Sequence, residues 1–124
     1  MKTTFFLSAI ATFFAASANA TCFGSGEDWG DRSVALTTAR NLCNSDLTGT
    51  YGPGGTTSGY RGACRNGNGK KLEFQLWHIQ GGDRYISPDE CYDGFQKEIN
   101  GCSRGGDTSY TNWRYSADPN AGSC

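Results

Sequence analysis

Hydrophobic and polar side chains alternate most regularly over residues 70–79, K-K-L-E-F-Q-L-W-H-I. The two alternating sets are Leu72, Phe74, Leu76 and His78 against Glu73, Gln75, Trp77 and Ile79. A period of two predicts a half-buried β-strand. The run N-G-N-G over 66–69 is typical of a tight hairpin turn, so we expect a short strand over 60–65 to pair with the long one.

A period near 3.6 residues predicts two helices. The clearer one begins at Ser87, whose side chain can accept the amide of Glu90, and Pro88 takes the first helical position. Gly101 is expected to stop this helix in the left-handed conformation. Its apolar stripe comprises Cys91, Phe95, Ile99 and Cys102. The other helix is expected over about 32–43, with Asp31 or Ser33 as its cap. Its apolar side comprises Ala35, Leu36, Ala39, Leu42 and Cys43.

The remaining segments have weaker patterns. Residues 48–59 are rich in Gly and Thr without a period, which predicts an exposed loop. We expect a brief extended piece over 84–86, a strand over 109–116, and a turn at 118–122. The order helix, strand, strand, helix, strand has no regular βαβ repeat. It predicts an α+β fold in which a small, mainly antiparallel sheet carries the helices.

The amino terminus has the pattern of a secretory signal. A short basic start is followed by an apolar run over 5–16 and by Ala18-Asn19-Ala20, a small-residue cleavage site. The apolar run is too short to span a bilayer. We therefore interpret residues 1–20 as a signal peptide and residues 21–124 as a single secreted, extracellular domain without membrane insertion.

The cysteine count indicates a disulfide framework. All six cysteines follow the predicted cleavage point: Cys22, Cys43, Cys64, Cys91, Cys102 and Cys124. An even number in a short secreted chain implies three disulfides, and 15 pairings are formally open. A helix would hold Cys91 and Cys102 about 16 Å apart, too far for a bridge, so they should pair elsewhere. Cys22 and Cys124 should each tie one end of the domain to its body.

Charge and residue spacing argue against several functions. Without Lys2, ten basic residues face twelve acidic ones, so the chain has no excess of positive charge to attract nucleic acid. The six cysteines include no C-x-x-C pair and there is one histidine, so disulfides are favoured over zinc. Asp107, Asp118 and Asn120 offer oxygen ligands without the spacing of an EF-hand loop. We expect neither a metal nor a cofactor.

His78 is the natural starting point for a search for catalysis. At the end of the apolar face of the long strand, it is expected to be a partly buried, hydrogen-bonded imidazole rather than a catalytic base. A secreted hydrolase or ribonuclease that uses His78 with Glu73 and Arg114 is the alternative. The sequence has no G-x-S-x-G motif, and its cysteines are committed to bridges, so we expect a protein without enzymatic activity.

The carboxy-terminal third is rich in side chains that bind sugars. Aromatic rings pack on the apolar side of a pyranose, and Asn, Asp and Arg bond to its hydroxyls. The candidate glycan-binding residues are Tyr85, Arg104, Asp107, Tyr110, Asn112, Arg114, Asp118 and Asn120. If 109–116 is one strand, Tyr110, Asn112 and Arg114 share its outer face. Trp77 and Trp113 are either core residues or binding platforms.

The carboxy-terminal motifs also resemble those of a known family. The strings C-Y-D-G-F-Q-K-E-I-N-G-C, T-N-W-R-Y and D-P-N-A-G-S-C, in a six-cysteine chain with a signal, are similar to small secreted fungal proteins of the Y-three lectin type. The resemblance covers Cys91 to Cys124. It implies an α/β/α sandwich around an antiparallel sheet, disulfide-bonded and extracellular, that binds glycans without catalysis. It also disfavours Trp77 as a binding residue, because both sheet faces would be covered.

These observations lead to one hypothesis and two alternatives. The hypothesis is a secreted lectin that recognises oligosaccharides on glycoproteins or cell surfaces, with homodimerisation as a route to avidity. The first alternative is a cysteine-rich effector or toxin that binds a host protein. The second is the small secreted hydrolase or ribonuclease based on His78.

Overall fold

The computed structural model describes residues 19–124, whose elements confirm the predicted α+β fold. Seven strands, two α-helices and one 3-10 turn lie in this range, with these bounds: β1 Asn19–Cys22, α1 Arg32–Cys43, β2 Gly49–Tyr51, a 3-10 turn Thr57–Gly59, β3 Tyr60–Gly67, β4 Lys70–His78, β5 Arg84–Ile86, α2 Pro88–Gly101, β6 Gly106–Ser109 and β7 Trp113–Asn120. The predicted signal peptide lies almost wholly outside the described residues, and its predicted cleavage point falls within β1. Neither described helix is long and apolar enough to cross a membrane.

Five strands form one antiparallel sheet in the order β1-β6-β7-β4-β3, and β2 pairs with β5 in a separate two-stranded sheet. The predicted hairpin joins β3 to β4. Asn68 and Gly69 form its tip with φ angles of 57° and 75°, which are the left-handed values that a two-residue type I′ turn requires. This turn fixes the register, so Tyr60 lies opposite Trp77.

Both helices lie on the same face of the five-stranded sheet. Phe74 of β4 packs edge-on against Phe95 of α2, and Phe95 does the same against Tyr115 of β7. Cys43 of α1 is bonded to Cys91 of α2, and the buried sides of both helices belong to one hydrophobic core. Residues 19–124 thus form two layers. The second helical layer of the sandwich that the resemblance implies has no counterpart in them.

The helix starts are confirmed, whereas one predicted helix end is wrong. Asp31 accepts the amide of Ser33 to cap α1, and Ser87 accepts the amide of Glu90 to cap α2. Gly101 is still helical, and the chain leaves α2 at Cys102 in an extended conformation with φ of −135°. The Cys102 amide already donates to the carbonyl of Glu98, so this end needs no left-handed residue.

The carboxy-terminal strand prediction is wrong in its bounds. The segment 109–116 contains a turn between β6 and β7, and residues 118–120 belong to β7 instead of forming a turn. The last residue pair between β6 and β7 is Gly106 with Ala117. Pro119 lies beyond it, where β7 has a free edge on one side and a proline is tolerated.

The segment 48–59 is also more ordered than predicted. It contains β2 and a 3-10 turn, and Tyr51 is completely buried. The Tyr51 hydroxyl donates to the carbonyl of Leu47 at 2.8 Å, and its ring meets Trp113 edge-on. One aromatic residue among glycines and threonines has no periodic partner in the sequence, so the pattern did not reveal its role in the core.

Three disulfides confirm the predicted framework. They join Cys22 to Cys102, Cys43 to Cys91 and Cys64 to Cys124. As expected, Cys91 and Cys102 do not pair with each other, and Cys22 and Cys124 each anchor one end. The bridged residues are 48 to 80 positions apart. For loops of this length, chain entropy alone suggests a stabilisation of roughly 4 kcal/mol per bridge.

Candidate functional site

The face of the sheet opposite the helices carries polar and aromatic side chains. Along β4 the buried residues alternate with half-exposed ones, which places Glu73, Gln75 and Trp77 on this side. We call it the open face. Its residues come from four strands and include Tyr60, Gly62 and Cys64 of β3, Lys71, Glu73, Gln75 and Trp77 of β4, Asp107 of β6, and Arg114, Ser116, Asp118 and Asn120 of β7.

The open face contains a cleft of about 360 Å³. This volume is at the lower end of the range for small-molecule sites, roughly 300–1,000 Å³. The residues that line the cleft are Tyr60, Gly62, Ala63, Cys64, Glu73, Phe74, Gln75 and Asp118. An aromatic ring thus lies toward one end and two carboxylates toward the other, with the amide of Gln75 between them.

The Tyr60 ring forms one end of the cleft, and the Trp77 ring supports it from outside the lining. The Tyr60 and Trp77 rings lie 5.3 Å apart, and the Tyr60 hydroxyl accepts a hydrogen bond of 3.0 Å from the Gln75 amide. Tyr60 lies over Gly62, where even a methyl group would collide with the Tyr60 hydroxyl. The absence of a side chain at Gly62 therefore permits the Tyr60 ring to rest on the sheet.

Arg114 and Asp107, both predicted site residues, contact each other beside these rings. The Arg114 Nε and Nη2 donate to the two carboxylate oxygens of Asp107 at 2.8 and 2.6 Å. This bidentate pair raises the pKa of the Arg114 guanidinium through its hydrogen bond to Asp107. The guanidinium carbon lies 4.1 Å from the centre of the Trp77 ring. Arg114 therefore acts as a support that holds Trp77 in place.

Two carboxylates form the other end of the cleft. Glu73 and Asp118 are directly opposite each other on β4 and β7. The Asn120 amide donates to Glu73 Oε1 at 2.8 Å. Burial raises the pKa of Asp118, the hydrogen bond from Asn120 opposes this shift, and the negative charge of Glu73 adds to it. The charges of both acids therefore face the cleft at close range.

The other predicted site residues lie elsewhere. Tyr110 and Asn112 belong to the β6–β7 segment that turns toward α2, where they line a second cavity of about 270 Å³. Tyr110 packs against Tyr115 and beneath Lys97, so it does not share the outer face with Arg114. Tyr85 projects from β5 with 58% of its surface exposed. Arg104 donates to the carbonyl of Gly24. None of these four lines the cleft.

Four functional side chains of the open face are absent from the predicted glycan-binding site: Tyr60, Glu73, Gln75 and Trp77. The hairpin turn at Asn68 and Gly69 was the sequence signal that could have placed them next to each other. A two-residue turn there makes Gly67 and Lys70 the first pair, and counting outward pairs Tyr60 with Trp77. The pairing of β4 with β7 is long-range and had no such local signal.

His78 is hydrogen-bonded as the sequence predicts, and it is completely buried where partial burial was expected. It is 1% exposed, its Nδ1 lies 2.8 Å from the Gly52 carbonyl, and its ring packs against Trp113. Trp113 and Tyr115 are likewise core residues. A substrate in solution does not reach His78 in this arrangement, which weighs against the hydrolase alternative. Within residues 19–124, every cysteine is bridged and no group of three His, Cys, Asp or Glu side chains is placed to hold a metal ion.

Comparison with models of known protein families and with curated proteins gave no match to this sequence.

Proposed function

We propose that this protein is a secreted, non-enzymatic carbohydrate-binding protein whose cleft holds one unit of an oligosaccharide carried by a glycoprotein or cell surface. The observation that carries the proposal is the composition of the cleft: the Tyr60 ring, which packs against Trp77, faces two carboxylates and an amide across an open sheet surface. A pyranose needs these two kinds of surface, because one side presents C–H groups and its rim presents hydroxyls.

The aromatic end is suited to binding because its rings are already fixed. Trp77 is held by Tyr60 on one side and by Arg114 on the other. Arg114 is itself held by its bidentate contact with Asp107. Ordering a free side chain on binding costs roughly 0.5–1.5 kcal/mol, and a ring that is already ordered avoids this cost.

The polar end is suited to hydroxyl recognition. Carboxylates accept several hydrogen bonds each, and an amide both donates and accepts. Glu73, Gln75 and Asp118 line the cleft with these groups, and Asn120 orients Glu73 from the far end of β7. Such planar groups select the direction of a hydroxyl, whereas the rings select the face of the sugar.

Secretion is the second part of the proposal. Three disulfides are typical of proteins that work in an oxidising compartment, and the amino terminus has a signal-peptide pattern. Cleavage after Ala20 would leave Thr21 and Cys22 as the remaining part of β1, opposite Asp107 and Gly106. Expression of the full chain in a secreting host, followed by amino-terminal sequencing of the released protein, tests this boundary.

The binding test compares two aromatic residues. The oxidised protein, secreted from cells that express the full chain, is applied to a glycan array and its best ligand is titrated. Tyr60→Ala should weaken binding at least about tenfold, since stacking on the aromatic ring that lines the cleft is lost. Tyr85→Ala is the matched control, because Tyr85 is exposed outside the cleft and its loss should leave affinity unchanged.

Two results would contradict the proposal. A blank array with the folded, oxidised protein would favour the effector alternative, in which a host protein is the partner. Equal losses for Tyr60→Ala and Tyr85→Ala, with unchanged melting temperatures, would show that sugar binding does not use the cleft.

A further inference from the structure

We propose that the cleft selects a sugar with a free ammonium group, such as a 2-amino-2-deoxyhexose, and that Glu73 and Asp118 act as its counter-ions. This inference rests on the proposed function and specifies the class of sugar. It predicts binding to oligomers of glucosamine in preference to the N-acetylated oligomers of equal length, and rejection of sugars that carry carboxylates.

The charges around the cleft are unbalanced. Its lining contains two acidic side chains, Glu73 and Asp118, and no basic one. Arg114, the nearest cation toward the aromatic end, is neutralised by Asp107. Within residues 19–124 the ion pairs of at most 4.0 Å involve neither Glu73 nor Asp118. An incoming cation would therefore meet two carboxylates that have no ionic partner in the described part of the chain.

Lys71 is the basic residue closest along β4, and it does not line the cleft. It pairs with Asn120 across the strands, two positions beyond the pair formed by Glu73 and Asp118. Lys71 therefore lies farther from the Tyr60 ring than the two carboxylates do. A sugar that rests on Tyr60 would reach the two acids before it reaches Lys71.

The spacing suits one sugar unit between ring and acids. Alternate residues on one face of a strand lie roughly 7 Å apart. Tyr60 leans over Gly62, which is opposite Gln75, and Glu73 is the next residue of β4 on the open face. A pyranose that stacks on the Tyr60 ring therefore directs its far edge, with the substituent there, between Glu73 and Asp118.

The environment of Asp118 favours a cationic ligand. Burial and the neighbouring charge of Glu73 both disfavour the ionised form of Asp118, which is why its pKa is raised. A positive charge placed between the two acids would reverse the effect of Glu73 and stabilise both ionised groups. A sialic or uronic acid would add a third negative charge and increase the repulsion.

The test measures affinity by calorimetry for three oligosaccharides of equal length: glucosamine, N-acetylglucosamine and glucuronic acid oligomers. We expect the glucosamine oligomer to bind about tenfold more tightly than the N-acetylated one, as expected for charge-assisted hydrogen bonds in a partly buried site. The preference should shrink at about 1 M salt, since exposed charge pairs are screened. The glucuronic acid oligomer should not bind.

Substitutions test whether Glu73 and Asp118 cause the preference for glucosamine oligomers. Glu73→Gln with Asp118→Asn should equalise the affinities for the glucosamine and N-acetylglucosamine oligomers. Asp83→Asn removes the same charge from an exposed position outside the cleft and should keep the preference. Melting temperatures of all variants show whether each one is folded.

The possible failures are distinguishable. Equal or tighter binding of the N-acetylated oligomer, or a preference that survives in the double variant, would overturn the cationic-sugar inference while sugar binding itself stands. Failure to bind any of the three oligomers, together with binding to another sugar on the array, would also overturn the cationic-sugar inference and leave the proposed sugar binding standing. Absence of binding to every glycan would overturn the proposed function as well.

Discussion

The two faces of the five-stranded sheet differ although they share the same strands. On the helical side, Phe74 is buried between Trp29 and Phe95. On the open side, Trp77 is half-exposed and is held by Tyr60 and Arg114, both of which belong to the sheet. One face is held together by burial under two helices, and the other by contacts among neighbouring side chains.

If the open face binds sugar as proposed, stability and recognition are separable along β4. From Leu72 to His78, residues of even number on this strand belong to the core, and residues of odd number belong to the open face. A substitution on one face should therefore change mainly one property.

Phe74→Ala should produce the largest loss of stability. It removes a completely buried ring that packs against two others, and such truncations cost about 3–5 kcal/mol. Trp77→Ala, three positions along the strand, should cost only about 1 kcal/mol, because its ring is half-exposed. Denaturant unfolding with the disulfides intact measures both values. Similar losses for the two variants would show that the open face contributes to folding as much as the core does.

Glu98→Gln should have an intermediate effect that depends on pH. Glu98 lies in α2 with 2% exposure, and its Oε1 has no hydrogen-bond partner among residues 19–124. Burial raises the pKa of Glu98, while the nearby Thr108 hydroxyl and the charge of Lys97 oppose the shift and the charge of Asp107 adds to it. The folded protein therefore retains a proton that the unfolded chain releases at lower pH.

The sign of the effect follows from this difference. Above the ordinary glutamate pKa, the unfolded state binds fewer protons than the folded state, so the free energy of unfolding falls as the pH rises toward the folded pKa. The amide introduced by Glu98→Gln does not titrate, so the variant should gain stability relative to wild type with rising pH, on the order of 1 kcal/mol at about pH 8. Melting curves from about pH 4 to 8 test this. The exposed Glu90→Gln in the same helix is the control, and an equal pH trend in both variants would contradict the prediction.

Gly62→Ala should have the smallest effect on stability, whereas it should weaken glycan binding. The new methyl group would displace the Tyr60 ring, which can swing away, whereas replacing glycine within a strand stabilises by about 0.5–1 kcal/mol. Stability should be unchanged or slightly higher while glycan affinity falls several-fold. Gly81→Ala, at a position with open space around it, should change neither. Unaltered affinity in Gly62→Ala would show that the position of Tyr60 is unimportant.

Local signals in the sequence predicted much of the fold. The caps at Asp31 and Ser87, the bounds of α1, the Asn68-Gly69 hairpin and the alternation in β4 all depend on neighbouring residues, and all are confirmed. The prediction of one strand over 109–116 was wrong because tertiary contacts decide where β6 ends and β7 begins. Pro119 is acceptable in β7 only because its pairing with β6 ends before it.

The candidate site was harder to predict because it depends on which strands become neighbours. Asp107, Arg114, Asp118 and Asn120 share the open face only through the pairing of β4, β7 and β6. Tyr60 and Gln75 belong to the β3–β4 hairpin, which lies outside the carboxy-terminal third that the sequence favoured. Whether Trp77 is a core residue depended on how many sheet faces the helices cover. The described residues leave the face that carries Trp77 uncovered.

The bridge between Cys64 and Cys124 joins the chain terminus to the wall of the cleft. The Cys124 amide also donates to the side chain of Asn66, which keeps the last residue against β3. Reduction of this bridge would free Cys124 and alter the rim of the cleft. Ligand binding measured before and after mild reduction thus becomes a chemical readout of whether the terminus is tethered.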